Sequence, residues 1–246
     1  MRNIKLELCY DGSRYRGWQR LPGEAMTLQG KLEQTLGRIL EEPVQVTGSG
    51  RTDAGAHALG QVANFHTDSS LSCEEILAAL RRYLPEDIGI YSCSEASPRF
   101  HSRLNAVRKT YRYRVWNSEA PCVFERRYVY VLPARLDLEA MERGAAEIRG
   151  THDFSAFCSN KHYKKSTERT VFDFSVRRAG EEVVFTVTAD GFLYNMVRIL
   201  VGTMLELGMG RITQEELRRL LNGGRRAEAG YTVPAGGLCL MEVCYQ

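Results

Sequence analysis

At 246 residues and 43% hydrophobic content, the chain suits one large or two small packed domains, and it is too evenly mixed for a fibrous or disordered protein. A formal net charge of +3 neither demands nor excludes nucleic acid, so the distribution of charge has to decide. Seven cysteines with no C-x-x-C pair argue for reduced thiols in a cytoplasmic protein, scattered histidines give no metal signature, and no apolar run is long enough to span a membrane.

Met1-Arg2-Asn3 leads directly into strand-like sequence rather than into a secretory leader. Ile4, Leu6 and Leu8 alternate with Lys5 and Glu7, which predicts a half-buried strand ended by Asp11-Gly12. The segment Ser13-Arg14-Tyr15-Arg16-Gly17-Trp18-Gln19-Arg20 is a basic and aromatic loop. Two readings stay open for it: Trp18 tucked onto the core, or a finger in which Arg14, Trp18 and Gln19 bracket nucleic acid. Thr27 caps an expected helix from Leu28 to Glu41, with Leu28, Leu32, Leu36, Ile39 and Leu40 on one face. Val44-Gln45-Val46 then alternates like a strand, and Gln61 to His66 alternates again.

Between those two stretches lies Gly48-Ser49-Gly50-Arg51-Thr52-Asp53-Ala54-Gly55-Ala56-His57, three glycines with one carboxylate, one guanidinium and one imidazole. A dinucleotide fingerprint fails because Asp53 stands where the third glycine belongs, and a P-loop fails because no Gly-Lys-Ser or Gly-Lys-Thr is present. Either this is only a turn, or it is a loop that presents a lone acid beside a cation. An anionic nucleophile or base needs that neighbour and a fixed position.

Ser72 and Glu75 have capping-box spacing before a helix carrying Ile76, Leu77, Leu80 and Leu84, and Ile88 to Tyr91 reads as a fourth strand. The order β-α-β-β-α-β is that of a ferredoxin-like sandwich. From Arg99 to Ser118 there are six Lys or Arg residues and no acid. Within that run, Tyr111, Tyr113 and Val115 fall on one face of a strand, with Arg112 and Arg114 on the other. Core-facing tyrosines with solvated arginines fit the pattern, and so does a polynucleotide groove in which Arg108, Arg112 and Arg114 meet phosphate.

The second half repeats this plan. Asp137 caps a helix through Ile148, Thr151 to Phe157 reads as a short helical turn, and Ser159 to Thr167 forms a second basic loop with Lys161, His162, Lys164 and Lys165. Val171, Phe172, Phe174 and Val176 predict a strand that hairpins into Val183 to Ala189. A helix follows from Tyr194 to Leu207, then one capped by Thr213 and Glu216, then a closing strand from Leu238 to Tyr245. Arg198 lies in an otherwise apolar helix, so it either snorkels to solvent or faces a polar cleft with Asp53 as its partner. The expected fold is α+β: two ferredoxin-like sandwich halves, 1–105 and 106–246, with mainly antiparallel sheets joined around a central basic cleft.

Tyr10-Asp11-Gly12, Gly17-Trp18-Gln19, Gly50-Arg51-Thr52-Asp53-Ala54-Gly55-x-His57, Tyr111-x-Tyr113 and Phe192-x-Tyr194-Asn195-Met196-Val197-Arg198 resemble the tRNA pseudouridine synthase A family, in order from residue 4 to residue 245. The resemblance implies an isomerase that works without cofactor or metal, as a homodimer, on uridines 38, 39 and 40 of the tRNA anticodon stem-loop. It implies that Asp53 is the catalytic aspartate, that Arg198 pairs with it, that Arg51 helps place the flipped nucleotide, and that Tyr111 stacks on the target uridine. Arg14, Trp18, Gln19, His57, Arg108 and Arg112 complete the candidate substrate-binding set. The segment Ala229 to Pro234 departs from the family pattern at Tyr231, where proline is usual. Two other classes stay open, a noncatalytic RNA-binding module of the same fold and a small-molecule α+β enzyme; the basic runs and the missing cofactor signature speak against the second.

Overall fold

The computed structural model describes residues 1–24, 26–160 and 163–246. It divides into two compact units, one of Met1–Val107 with Cys239–Gln246 and one of Arg108–Leu238. Residues Cys239–Gln246 thus belong to the first unit although they end the chain.

In the first unit, β1 (Arg2–Tyr10) runs from a half-exposed start into a 3-10 turn at Gly12–Arg14. Ile4, Leu6 and Leu8 are fully buried, as their alternation predicts. Helix α1 (Leu28–Leu40) starts where Thr27 accepts the Gly30 N–H at 3.3 Å. Its Leu28, Leu32 and Leu36 are fully buried, each stabilising the fold by about 1.5–3 kcal/mol. Two short residues, Thr47–Gly48, form β2, and His57–Thr67 forms the long β3. Helix α2 (Cys73–Tyr83) carries the complete Ser72/Glu75 capping box, and β4 (Ile88–Ala96) follows. Strands pair in the order β4-β1-β3, with both β1 pairings antiparallel.

The second strand expected at Val44–Val46 is absent; only Thr47–Gly48 joins the ladder. Side chains of α1 explain this. The Val46 N–H donates to Glu33 Oε1 at 3.0 Å, and the Val46 carbonyl accepts from Gln29 Nε2 at 3.1 Å. Once a helix satisfies those backbone groups, no neighbouring strand is needed. Glu33 is itself buried and tied to Gln29 Nε2 at 2.8 Å and to Arg20 Nη1 at 3.0 Å. The far edge of β3 is therefore shared. Beta2 takes Asn64 and Ala63, while β10 (Leu238–Tyr245) runs parallel beside His57 and Ala58.

In the second unit, β5 (Ala106–Trp116) leads to a two-residue strand β6 (Tyr130–Val131), then to α3 (Leu138–Ile148), capped by Asp137 on the Ala140 N–H at 2.9 Å. The expected helical turn over Thr151–Phe157 splits into a strand, β7 (Gly150–Asp153), and a 3-10 turn, Ser155–Phe157. The cause is pairing: β7 lies antiparallel on β8 (Glu168–Ala179), which hairpins into β9 (Glu182–Ala189). Helices α4 (Met196–Gly208) and α5 (Gln214–Leu221) complete the unit, the latter with the predicted Thr213/Glu216 box. Strands order as β5-β9-β8-β7, all antiparallel, with β6 parallel on β5. Lys161 and His162 of the second basic loop lie outside the described residues. No helix among the described residues is long and apolar enough to cross a membrane.

Candidate active site

The Asp53 loop is fixed from below by β3 and from the side by the segment after β1. At its start, the Ser49 N–H donates to the Val62 carbonyl at 2.7 Å, and Ser49 Oγ lies 2.6 Å from Gln61 Oε1. Gln61 Nε2 reaches the Gly50 carbonyl at 3.1 Å and the Tyr10 hydroxyl at 3.3 Å. That hydroxyl in turn sits 2.8 Å from Thr52 Oγ1. All of these side chains are buried, so each bond is made in low dielectric and holds its partner firmly.

The side clamp is built from main chain. The Trp18 N–H donates to the Thr52 carbonyl at 3.0 Å, the Gly55 N–H to the Tyr15 carbonyl at 3.2 Å, and the Ala56 N–H closes a turn onto the Asp53 carbonyl at 3.1 Å. Gly17 makes this approach possible: its φ is +95°, and a Cβ there would stand 2.9 Å from the Thr52 carbonyl oxygen. Asp53 itself is half-buried, between a Thr52 bonded through both side chain and carbonyl and a turn closed by Ala56.

Around this carboxylate the candidate residues take different stations. Arg51 is exposed and makes no hydrogen bond or ion pair among the described residues, so its guanidinium faces solvent. Trp18 is only 2% exposed, and its indole lies directly against Gly48, where any Cβ would collide with the ring. Of the two readings of this segment, the ring takes the one tucked onto the core, and Trp18 supports the loop from beneath. His57 is likewise buried. Its Nδ1 lies 3.0 Å from the Gly12 N–H and 3.2 Å from Asp11 Oδ1, which accepts from the Ser13 N–H at 2.9 Å. The imidazole thus joins β3 to the start of the 3-10 turn.

Arg14 is exposed and 3.6 Å from Asp87 Oδ2. The other Asp87 oxygen accepts the Tyr15 hydroxyl at 2.6 Å; burial, and then that carboxylate, push the phenol well above its ordinary range. Gln19 is half-buried. The finger segment is thus firmly seated, with its arginines outward and its rings inward.

In the second unit, Tyr111 is 8% exposed, and Phe192 meets its ring edge-on at 5.0 Å between centroids. Tyr113, on the same strand face, donates to the Pro234 carbonyl at 2.6 Å. Burial raises its phenol pKa, with the Arg198 charge pulling the other way. Arg198 is half-buried in the first turn of α4, and its guanidinium is oriented by two acceptors: Nε to the Val233 carbonyl at 2.8 Å and Nη1 to Asn195 Oδ1 at 2.9 Å. Asn195 holds the left-handed conformation, φ +62°, just ahead of the helix. Such a conformation is uncommon for a residue with a Cβ, and asparagine tolerates it best. Asn195 and Phe192 contact the candidate residues Arg198 and Tyr111, although the candidate set drawn from sequence leaves both out; the signal for them was their place in the Phe192-to-Arg198 motif.

The basic face of β5 is less uniform than the acid-free sequence suggests. Arg114 is bound by Glu182, with Nε–Oε2 at 2.7 Å, and by Glu125 at 2.9 Å, so it has carboxylate partners that the local run does not contain. Arg112 is half-buried, with its Nε enclosed and unpaired, and Arg108 is exposed over the Phe172 ring at 5.1 Å. No group of three His, Cys, Asp or Glu among the described residues is arranged to hold a metal ion. None of the seven cysteines is in a disulfide.

A family model described as tRNA pseudouridine synthase matches residues 9–104 and 145–246. The chain is 44% identical over 245 residues to "tRNA pseudouridine synthase A" of Acetivibrio thermocellus, covering 100% of both chains. It is 42% identical over 245 residues to "tRNA pseudouridine synthase A 2" of Clostridium perfringens, again covering 100% of each. Against "tRNA pseudouridine synthase A" of Moorella thermoacetica the identity is 44% over 243 residues, covering 98% of this chain and 99% of the other.

Proposed function

We propose, since this chain belongs to the tRNA pseudouridine synthase family, a catalytic assignment for its residues and a place for its action on tRNA. The protein is an isomerase that converts uridine to pseudouridine in tRNA. The reaction breaks the bond between ribose C1′ and uracil N1, turns the base, and rejoins it through C5. Atoms and electrons balance within the nucleotide, so the protein's task is to extract the base, hold it and supply one group that attacks or takes a proton.

In our reading Asp53 is that group, acting as an anion on the ribose or the uracil ring. The observation that carries the assignment is the immobilisation of its loop. Thr52 is held through its hydroxyl by Tyr10 and through its carbonyl by Trp18, and a turn closes on Asp53 itself. A carboxylate on a fixed backbone spends little of its effect on being ordered. Arg51 is the mobile cation that follows the substrate, steadying the nucleotide once it has left the stack. Tyr111 supplies the ring on which the extracted uracil rests; its edge-on contact with Phe192 keeps that ring from turning. Arg198, aimed by Val233 and Asn195, is the cation that works with Asp53. Arg14, Arg108 and Arg112 meet phosphate, Gln19 lies among the RNA contacts, and Trp18 and His57 serve by positioning the loop.

The substrate region is the anticodon arm, and the working form is a homodimer. Incubating undermodified tRNA with the protein and mapping pseudouridine at single-nucleotide resolution tests both the activity and the arm. Conversion confined to the anticodon stem-loop is expected. Conversion elsewhere would remove the arm from the account, and no conversion at all would leave an RNA-binding module.

A further inference from the structure

We propose that Phe172 and Arg108 form a second stacking position for RNA, outside the catalytic residues, that holds an unpaired nucleotide of the tRNA substrate. The proposal rests on the tRNA-modifying activity argued above. Simple alternation along β8 would place Phe172 on the face of Phe174 and Val176, which are buried. Instead Val171 takes the buried place and Phe172 is 47% exposed. A bulge produces the switch: Val171 pairs with Ala189 and Asp173 with Thr188, so Phe172 is the extra residue opposite two adjacent partners. Bulges re-aim side chains and recur beside functional sites.

What stands over the ring gives the surface its chemistry. The Arg108 guanidinium lies 5.1 Å from the Phe172 centroid; it is exposed and has no carboxylate partner among the described residues. Asp173, the acid next to the ring, lies 3.4 Å from the Arg149 guanidinium. Further along the face of β5 and β9 come the paired hydroxyls of Thr110 and Thr188, 2.9 Å apart, then Arg112 and Thr186, all half-buried. Phe172 is the one large exposed apolar side chain on β8 and β9. A protein partner would ask for a contiguous apolar patch, which this face lacks. A single ring beside guanidinium and hydroxyl donors suits one base with its phosphate and 2′-OH.

The test compares wild type, Phe172→Ala, Arg108→Gln and the double variant for tRNA affinity at two salt concentrations, for turnover, and for sedimentation. Loss of one stacking ring should weaken binding about tenfold, raising Kd and KM rather than slowing the bound complex, with the salt slope unchanged. Arg108→Gln should also weaken binding and should reduce the log–log salt slope by about 0.7–0.9. The double variant should lose less than the two losses combined, because the groups serve one nucleotide. Wild-type affinity in Phe172→Ala, from an enzyme that still modifies tRNA, overturns the proposal. Loss of affinity that appears only together with dissociation of a wild-type oligomer also overturns it and assigns the ring to a second copy. Wild-type protein that binds tRNA without modifying it sinks the activity alone, and the affinity comparison still decides on Phe172.

Discussion

Replacing Thr52 by Val removes one hydroxyl from beneath the Asp53 loop and little else. The Thr52 side chain is buried, and its Oγ1 lies 2.8 Å from the Tyr10 hydroxyl, which also accepts from Gln61 Nε2 at 3.3 Å. Either hydroxyl can donate in that pair and a valine methyl can neither donate nor accept, so the substitution removes one hydrogen bond from a buried site. A net hydrogen bond is worth about 1 kcal/mol and a stranded buried donor about 1–3, which places the expected stability loss near 1–2 kcal/mol in urea unfolding. The shapes match, so no cavity cost is added. Activity should suffer more than stability. Thr52 is bonded to Asp53, and displacing a reacting group by about 1 Å costs on the order of a hundredfold in rate. Single-turnover measurement at saturating tRNA should show a fall of about 10- to 100-fold, with Kd for tRNA within about twofold, because Thr52 does not face the ligand. Tyr10→Phe removes the same bond from the other side, so the double variant should lose about 1 kcal/mol less than the two losses added. Strict additivity, or wild-type stability and rate in Thr52→Val, would refute the clamp.

Asn195→Gly keeps the left-handed backbone but releases Arg198 Nη1, so turnover should drop with stability nearly retained; Asn195→Ala should lose turnover and about 1 kcal/mol of stability besides, read by thermal unfolding. Arg114→Gln strips Glu182 and Glu125 of their shared cation and should cost about 2 kcal/mol while leaving the salt slope of tRNA binding unmoved. The Thr167 hydroxyl, then the Ser155 N–H, hold the Asp153 carboxyl below its ordinary pKa, and burial opposes them. Stability from that group is present above the unfolded value near 3.8 and is lost as pH falls through the folded one. Thr167→Val should therefore destabilise at neutral pH, and its difference from wild type should fade in acid unfolding.

Where an element is set by its own residues, the sequence reads correctly. The alternation of Ile4, Leu6 and Leu8, and the Ser72/Glu75 and Thr213/Glu216 boxes, are local devices and appear as expected. The failures come from partners distant in the chain. Val44–Val46 has strand composition, but Gln29 and Glu33 of α1 satisfy Val46 before a strand can. Leu238–Tyr245 is an evident strand, yet nothing in its residues announces that it returns to the first unit beside His57. The acid-free run around Arg114 looks like a phosphate surface until Glu182, far along the chain, is brought opposite. The candidate site was legible as a motif centred on Asp53, while the division of labour within it was not. That Trp18 and His57 face inward, and that Asn195 aims Arg198, are properties of packing rather than of residue type.

Asp53→Asn tests the central claim most directly, since it preserves the shape of the side chain while removing its charge. Kd for tRNA is measured first, and pseudouridine formation is then followed in a single turnover at saturating tRNA. The account predicts binding within a few-fold of wild type and no pseudouridine. Product formed at the wild-type rate from the bound complex would contradict it and remove Asp53 from the chemistry.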